Sequence, residues 1–304
     1  MVKNILCTTS SFGSAQPDVL ARLENKGFTP VLNPFKRKLT LTELEGLIAE
    51  HDPVGMLAGT EPIPESALTA SGCLKVISRV GVGWDNVDKD AASQLGIKVY
   101  RTEGVLNDAV AELTLGLMLS VLRQIGLHDR LMRAGTWQKH TGSLLKGKTV
   151  GIIGFGSIGM QVGQLCRAFG AKIVFHDTIT RDVDWALAVS KEDLVTSADI
   201  ITIHADGDAA LITRDDIVAA KDGVVLINSA RGGMIEEAAL HQGLVSGKVG
   251  GAGLDVYDQE PYSGELIGQD RVVLTPHIGS YAREARADME KMAVNNLFAG
   301  FRIN

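Results

Sequence analysis

Cysteine is scarce in this chain, with Cys7, Cys73 and Cys166 the only three in 304 residues. They stand far apart in apolar or helical contexts, without metal-ligand spacing or the pattern of a disulfide framework. All three are therefore expected to be buried structural thiols, and no metal site is expected. No run of about 18 apolar residues occurs, and the opening stretch Met1-Val2-Lys3-Asn4-Ile5-Leu6 is too short for a signal peptide. A membrane span and secretion are not expected, and a cytoplasmic protein is. Charge of one sign is not concentrated either: 30 Lys and Arg face 36 Asp and Glu, a net charge of −6 with no block of like charges. Neither nucleic acid nor a membrane surface is expected as a partner. Aromatic residues make up only 5%, whereas glycine is abundant at 34 residues, a balance that suits an α/β protein with many tight turns.

The length exceeds what one core usually organises and points to about two domains. In the first hundred residues, short apolar runs (Asn4 to Thr8, Val54 to Ala58, Lys75 to Val80, Ile97 to Tyr100) alternate with amphipathic stretches (Asp18 to Lys26, Thr42 to His51, Lys89 to Leu95). Such alternation predicts parallel strands covered by helices on both faces. A long apolar helix follows from Asn107 to about Gln124, then a second from about His128 to Ala134. Trp137 beyond it is either an oligomer anchor or a core residue. A second α/β series begins at Lys148, with strands at Thr149 to Ile153, Lys172 to His176, Ile200 to His204, Val224 to Asn228 and Gly250 to Asp255. Its helices are expected at Ile158 to Phe169 and Glu236 to Val245. A last helix, Ala282 to Ala299, lies too far along to be needed by the second sheet and is expected to return to the first. The expected architecture is α/β, with two doubly wound parallel-sheet domains and a cleft between them. A flavodoxin-like substrate domain would span residues 1–100 and 279–304, and a Rossmann domain residues 101–278.

Gly151-Ile152-Ile153-Gly154-Phe155-Gly156-Ser157-Ile158-Gly159 sets G-x-G-x-x-G between a strand and a helix. Gly154 suits a tight turn, Gly156 a close backbone approach to a pyrophosphate, and Gly159 the packing of helix on strand. The first helical residues, Ser157 and Ile158, would present their N–H groups to the negative charge. Asp177 follows 18 residues after Gly159, at the end of the next strand, where a carboxylate can accept ribose hydroxyls and repel a 2′-phosphate. NAD is the expected cofactor. Arg181, nearby in sequence, admits some use of NADP.

Three stretches downstream each offer one polar side chain: Arg231 in Asn228-Ser229-Ala230-Arg231-Gly232-Gly233, Glu260 in Asp255-Val256-Tyr257-Asp258-Gln259-Glu260-Pro261, and His277 in Thr275-Pro276-His277-Ile278-Gly279. A guanidinium for an anion, an imidazole for a proton and a carboxylate to steady it are the parts needed to interconvert a 2-hydroxy acid and a 2-keto acid. In the first half, Gly81, Val82 and Gly83 follow a strand, and their N–H groups suit either a small anion nest for a substrate carboxylate or a plain turn.

Taken in order, Arg79-Val80-Gly81-Val82-Gly83-Trp84-Asp85-Asn86-Val87-Asp88, Val110-Ala111-Glu112-Leu113, the glycine fingerprint and the three later motifs resemble the D-isomer-specific 2-hydroxyacid dehydrogenase family over nearly the whole chain. Within that family the pattern is most similar to short-form D-3-phosphoglycerate dehydrogenase-like proteins. The resemblance implies an NAD-dependent enzyme in which Arg231 holds the substrate carboxylate, His277 exchanges the hydroxyl proton, and Glu260 hydrogen-bonds His277. It also places Ala205, Ser229, Ala230, Asp255 and Gly279 around the cofactor and implies a homodimer acting on a small 2-hydroxy or 2-keto acid. Two departures stand out. The loop Ala58-Gly59-Thr60-Glu61-Pro62 lacks the arginine that phosphoglycerate-type relatives often carry there. After His204, Ala205-Asp206-Gly207-Asp208-Ala209-Ala210 replaces a Pro-Leu pattern with a more acidic loop. A glyoxylate or hydroxypyruvate reductase is the alternative reading, and an NAD-sensing regulator without turnover is a third.

Overall fold

Parallel strands and the helices that cover them form the framework of the computed structural model, which describes residues 3–207 and 209–303. Met1, Val2, Asp208 and Asn304, which the expected domain limits and the acidic loop include, lie outside the described residues. Two units are distinguished, Met1–Leu106 with Ser280–Asn304, and Asn107–Gly279.

The first unit runs β1 (Asn4–Cys7), α1 (Asp18–Asn25), β2 (Thr29–Leu32), α2 (Leu41–His51), β3 (Gly55–Ala58), α3 (Glu65–Thr69), β4 (Val76–Arg79), α4 (Lys89–Gln94) and β5 (Lys98–Arg101). Its sheet is wholly parallel in the order β2-β1-β3-β4-β5, the flavodoxin-like arrangement. β3 and β4 are buried at every residue, as expected of strands covered on both faces. The C-terminal helix Arg283–Phe301 packs on β3, β4 and β5. Gly300 lies so close to the sheet that a Cβ there would stand 2.6 Å from Val76. Helix α2 begins at a capping box in which Thr40 Oγ1 accepts the Glu43 N–H and Glu43 accepts the Thr40 N–H at 2.9 Å. Periodicity misses β2 because Pro30 interrupts a four-residue edge strand that is half exposed, and an edge is where proline is tolerated.

Cys73 departs from expectation. It is exposed, whereas Cys7 and Cys166 are buried, and none is in a disulfide. It sits in the turn before β4, where its neighbour Leu74 takes the buried position and Ser71 Oγ accepts the Cys73 N–H at 3.1 Å. A hydrogen bond to Asp52 pushes the Cys73 thiol above its ordinary pKa.

The second unit runs α5 (Asn107–Leu122), α6 (Ile125–Arg133), β6 (Thr149–Ile153), α7 (Ser157–Ala168), β7 (Lys172–His176), β8 (Leu187–Ala188), α8 (Lys191–Ser197), β9 (Ile200–Ile203), α9 (Arg214–Ala219), β10 (Val224–Asn228), α10 (Glu237–Ser246), β11 (Val249–Leu254) and β12 (Val272–Leu274). The seven strands are parallel in the order β12-β11-β10-β9-β6-β7-β8, a doubly wound sheet whose strand order reverses between β6 and β9. One face is covered by α8, α9 and α10 through Leu194, Ile217, Leu240 and Leu244. The other is covered by α5 and α7 through Leu117, Met118, Val162 and Cys166. Gln124, with φ 52°, breaks the apolar segment into two helices, so α6 starts three residues earlier than periodicity suggests. Trp137 is 80% exposed, which excludes the core alternative for it within this chain.

Candidate active site

The reversal point of the second sheet gathers the dinucleotide motif. Gly154 follows β6 with φ 88°, a conformation that favours glycine, and a Cβ there would stand 2.6 Å from Ala205 N and His204 O beyond β9. A side chain at Gly159 would collide with the Gly154 carbonyl, so helix α7 can meet the turn only with glycine there. At Gly156, the residue capping α7, a Cβ would meet nothing within 4 Å. The N-terminal end of a 12-residue helix, with Ser157 and Ile158 in its first turn, thus faces open space at the switch point. These are features that fit a dinucleotide pyrophosphate.

Asp177 stands one residue beyond β7. Its Oδ2 accepts the Phe155 N–H at 2.7 Å and its Oδ1 the Ile179 N–H at 2.9 Å, while Arg181 Nε approaches to 3.5 Å. Burial pushes this carboxyl up, but the Ile179 and Phe155 N–H groups and the Arg181 charge outweigh it, and the net pKa lies below the usual aspartate value. The carboxylate therefore ties the glycine loop to the segment after β7 and stays ionised. His204 is held neutral, its pKa lowered to about 3 by desolvation, with Nε2 2.9 Å from Thr202 Oγ1.

The C-terminal ends of β10, β11 and β12 carry the other candidate residues. His277 Nδ1 lies 3.0 Å and 3.1 Å from the two Glu260 oxygens, which joins the pair across 17 residues of sequence. The ring's other nitrogen, Nε2, lies on the side away from that contact. His277 itself has φ 55°, an uncommon backbone for a non-glycine residue. The turn that imposes this conformation is held from beneath by Asp255, whose carboxylate accepts Thr275 Oγ1 at 2.6 Å, Ile278 N at 2.7 Å and Gly279 N at 2.8 Å. Tyr257 adds a hydroxyl donated to the Thr275 carbonyl at 2.9 Å, and burial raises its pKa. Asp255 is 1% exposed, so in this structure its carboxylate serves the His277 turn.

Arg231 leaves the loop after β10. Asn228 shapes that loop, its Oδ1 accepting Ala230 N at 3.0 Å and its Nδ2 donating to the Arg231 carbonyl at 2.8 Å. Ser229 Oγ lies 2.8 Å from Thr114 Oγ1 on α5, and the Arg231 guanidinium donates from Nη1 to the Ala230 carbonyl at 2.8 Å. Its Nη2 lies 3.3 Å from Asp206 Oδ1. Sequence reasoning assigns no task to Asn228, Thr114 or Tyr257. Only Asn228 carries a local signal, a strand-ending Asn whose side chain bonds backbone two and three residues on.

In the first unit, Gly81, Val82 and Gly83 follow β4 directly. Beneath them Arg79, 7% exposed, donates from Nη1 to the Val80 carbonyl at 2.6 Å, and a Cβ on Gly81 would stand 2.6 Å from that nitrogen. A guanidinium thus underlies the glycine loop. Glu61, from the loop that lacks an arginine, is buried, and its carboxylate is bonded to the Thr8 hydroxyl and, at 3.1 Å, to the Gly59 N–H.

Residues 115–279 match the family described as D-isomer specific 2-hydroxyacid dehydrogenase, NAD binding domain. A hydroxypyruvate reductase of Thermotoga maritima is 39% identical over 266 residues, which cover 84% of this chain and 87% of that protein. A D-3-phosphoglycerate dehydrogenase of Archaeoglobus fulgidus is 35% identical over 265 residues, 84% of this chain, and the chain spans only 50% of that longer protein. A crystal structure of a protein from Thermus thermophilus aligns with a TM-score of 0.90 at 35% identity, covering 98% of this chain and 97% of that one.

Proposed function

The chain belongs to the D-isomer specific 2-hydroxyacid dehydrogenase family, NAD-dependent oxidoreductases of CH–OH donors, and from that premise we propose that His277, Glu260 and Arg231 interconvert a small D-2-hydroxy acid and its 2-keto acid. The observation that carries this reading is the 3.0 Å contact between His277 Nδ1 and Glu260. Bound NAD supplies the acceptor for the hydrogen on C2 and, reduced, its donor. Arg231 offers a planar donor fork to the substrate carboxylate. His277 Nε2 takes the hydroxyl proton during oxidation and returns it to the carbonyl oxygen during reduction. Glu260 holds the ring in one orientation and stabilises it while it carries that proton. Gly81, Val82 and Gly83 are the candidate substrate contact of the first unit, and Asp177 with Gly154, Gly156 and Gly159 the candidate cofactor contacts of the second.

For the substrate, the loop after β3 offers no cation from Ala58 to Pro62, and its one charged group, Glu61, is turned inward. That chemistry supports an unphosphorylated acid over a phosphorylated one at this loop. The test is loss of NADH and NADPH absorbance against glyoxylate, hydroxypyruvate, pyruvate and phosphohydroxypyruvate. Turnover of at least one with NADH is expected, and absence of turnover with all four would leave an NAD-sensing regulator as the better reading.

A cytoplasmic homodimer is part of the same proposal. Ile125, Met132, Trp137 and Leu144 are all more than half exposed within about one helix and one extended segment of the second unit, an apolar surface of the kind that a second copy covers. Among the described residues no single helix is long and apolar enough to cross a membrane.

A further inference from the structure

The loop after β9 departs from the family pattern at Asp206, and that residue reaches Arg231. Asp206 Oδ1 lies 3.3 Å from Arg231 Nη2, with the aspartate side chain 80% exposed and the arginine side chain 34% exposed. An aspartate side chain is an alkyl carboxylate. It presents to the guanidinium the same group that a 2-hydroxy or 2-keto acid would present, on a tether of fixed length. We propose that Asp206 is an internal competitor for the carboxylate site of Arg231 and so sets the affinity of this enzyme for its substrate. The inference rests on the proposed role of Arg231 and adds to it a residue the family pattern does not supply.

The geometry gives the competition its direction. The Ala230 carbonyl holds Nη1 from within the loop, and Asp206 approaches the other terminal nitrogen, Nη2. An incoming carboxylate must displace Asp206 or accept its charge as a neighbour, and both raise the concentration of acid needed for half-saturation. Once substrate is bound and the aspartate has turned to solvent, the reacting carbon, His277 and Glu260 are unaffected. The residue therefore acts on KM rather than on kcat. An exposed pair of this kind is worth little in absolute terms, so a change of about two- to fivefold is expected rather than orders of magnitude. The same weakness lets substrate win at ordinary concentrations.

The experiment uses the full chain and three variants, Asp206→Asn, Asp206→Ala and Arg231→Gln. KM and kcat are measured with glyoxylate and hydroxypyruvate, together with the inhibition constant of oxamate, a small carboxylate that is not reduced. Both Asp206 variants should lower KM and the oxamate constant by about two- to fivefold at low salt and leave kcat within about twofold, and added salt should narrow the gap from the parent enzyme. In an Arg231→Gln background the Asp206→Asn change should have no effect on either constant. Unchanged or raised KM and oxamate constants in both Asp206 variants would overturn the competition. If Arg231→Gln by itself leaves KM and the oxamate constant untouched, the failure lies instead with the assignment of Arg231 to the carboxylate.

Discussion

Asp255 accepts the backbone N–H of Gly279 at 2.8 Å and, through its other oxygen, that of Ile278 at 2.7 Å, so a buried strand-end carboxylate dictates the path of the turn that presents His277. Replacing one oxygen by an NH2 group would set a donor against a donor. Asp255→Asn is expected to cost about 1–3 kcal/mol of stability in urea unfolding, the usual penalty for an unmatched buried polar group. Its kcat should fall by at least about tenfold as the turn loosens. Parent-like values of both would mean that Thr275 and Tyr257 hold the turn without it.

His277→Asn removes the proton carrier and keeps a side chain of similar reach. Turnover should drop by about 10²- to 10⁴-fold, while the NADH dissociation constant from fluorescence titration stays within about threefold of the parent, since the glycine loop and Asp177 lie on other strands. Cofactor binding lost together with turnover would mark His277 as a structural residue of the second unit.

Asp177 makes a separable prediction about cofactor choice. Asp177→Ala removes the carboxylate proposed to contact the cofactor and leaves Arg181 behind, so the ratio of kcat/KM with NADPH to that with NADH should rise by about tenfold or more. An unchanged ratio would show that the discrimination lies elsewhere.

The same residue has an acid-side signature. Because the folded protein holds this carboxyl below its ordinary value, its stabilising contribution is complete above about pH 4, the unfolded pKa, and fades as pH falls through the lower folded value. Thermal midpoints measured from pH 6 down to pH 2 should show a parent advantage over Asp177→Ala that is constant above about pH 4 and shrinks below it. An advantage that instead grew toward low pH would contradict the pull of the Phe155 and Ile179 N–H groups.

Trp137→Glu combined with Ile125→Glu places two charges on the exposed apolar surface of α6 and the segment after it. Sedimentation equilibrium should shift the assembly to a single 32.4 kDa chain. A parent protein that is already monomeric at micromolar concentration would remove the dimer from the proposal.

Much of the fold is legible in the sequence because the signals are local. A short apolar-rich run such as the one around Val76–Arg79, bounded by turn residues, reads as a strand covered on both faces, and the G-x-G-x-x-G spacing places its own strand, turn and helix. The misses have physical causes. Thr29–Leu32 hides behind Pro30, Lys191–Ser197 and Arg214–Ala219 are two-turn helices too short to show a period, and Cys73 is exposed because its neighbour Leu74 is the residue that points inward. At the candidate site, the identities of Arg231, Glu260 and His277 stand out as residue types. Two of the supports do not, because Asp255 and Tyr257 act through contacts up to 24 residues away, as Asp255 does with Gly279. No window of sequence displays such a contact.

The burial of two of the three sulfurs has a practical side. Desolvation pushes the Cys7 and Cys166 thiols well above their ordinary range, and both side chains are closed to solvent. Cys73 alone is open, so a maleimide fluorophore or spin label would attach at one address, on the rim of the first sheet and outside every candidate contact described above. The natural chain is thereby ready for single-molecule distance work with one introduced cysteine in the second unit and none removed.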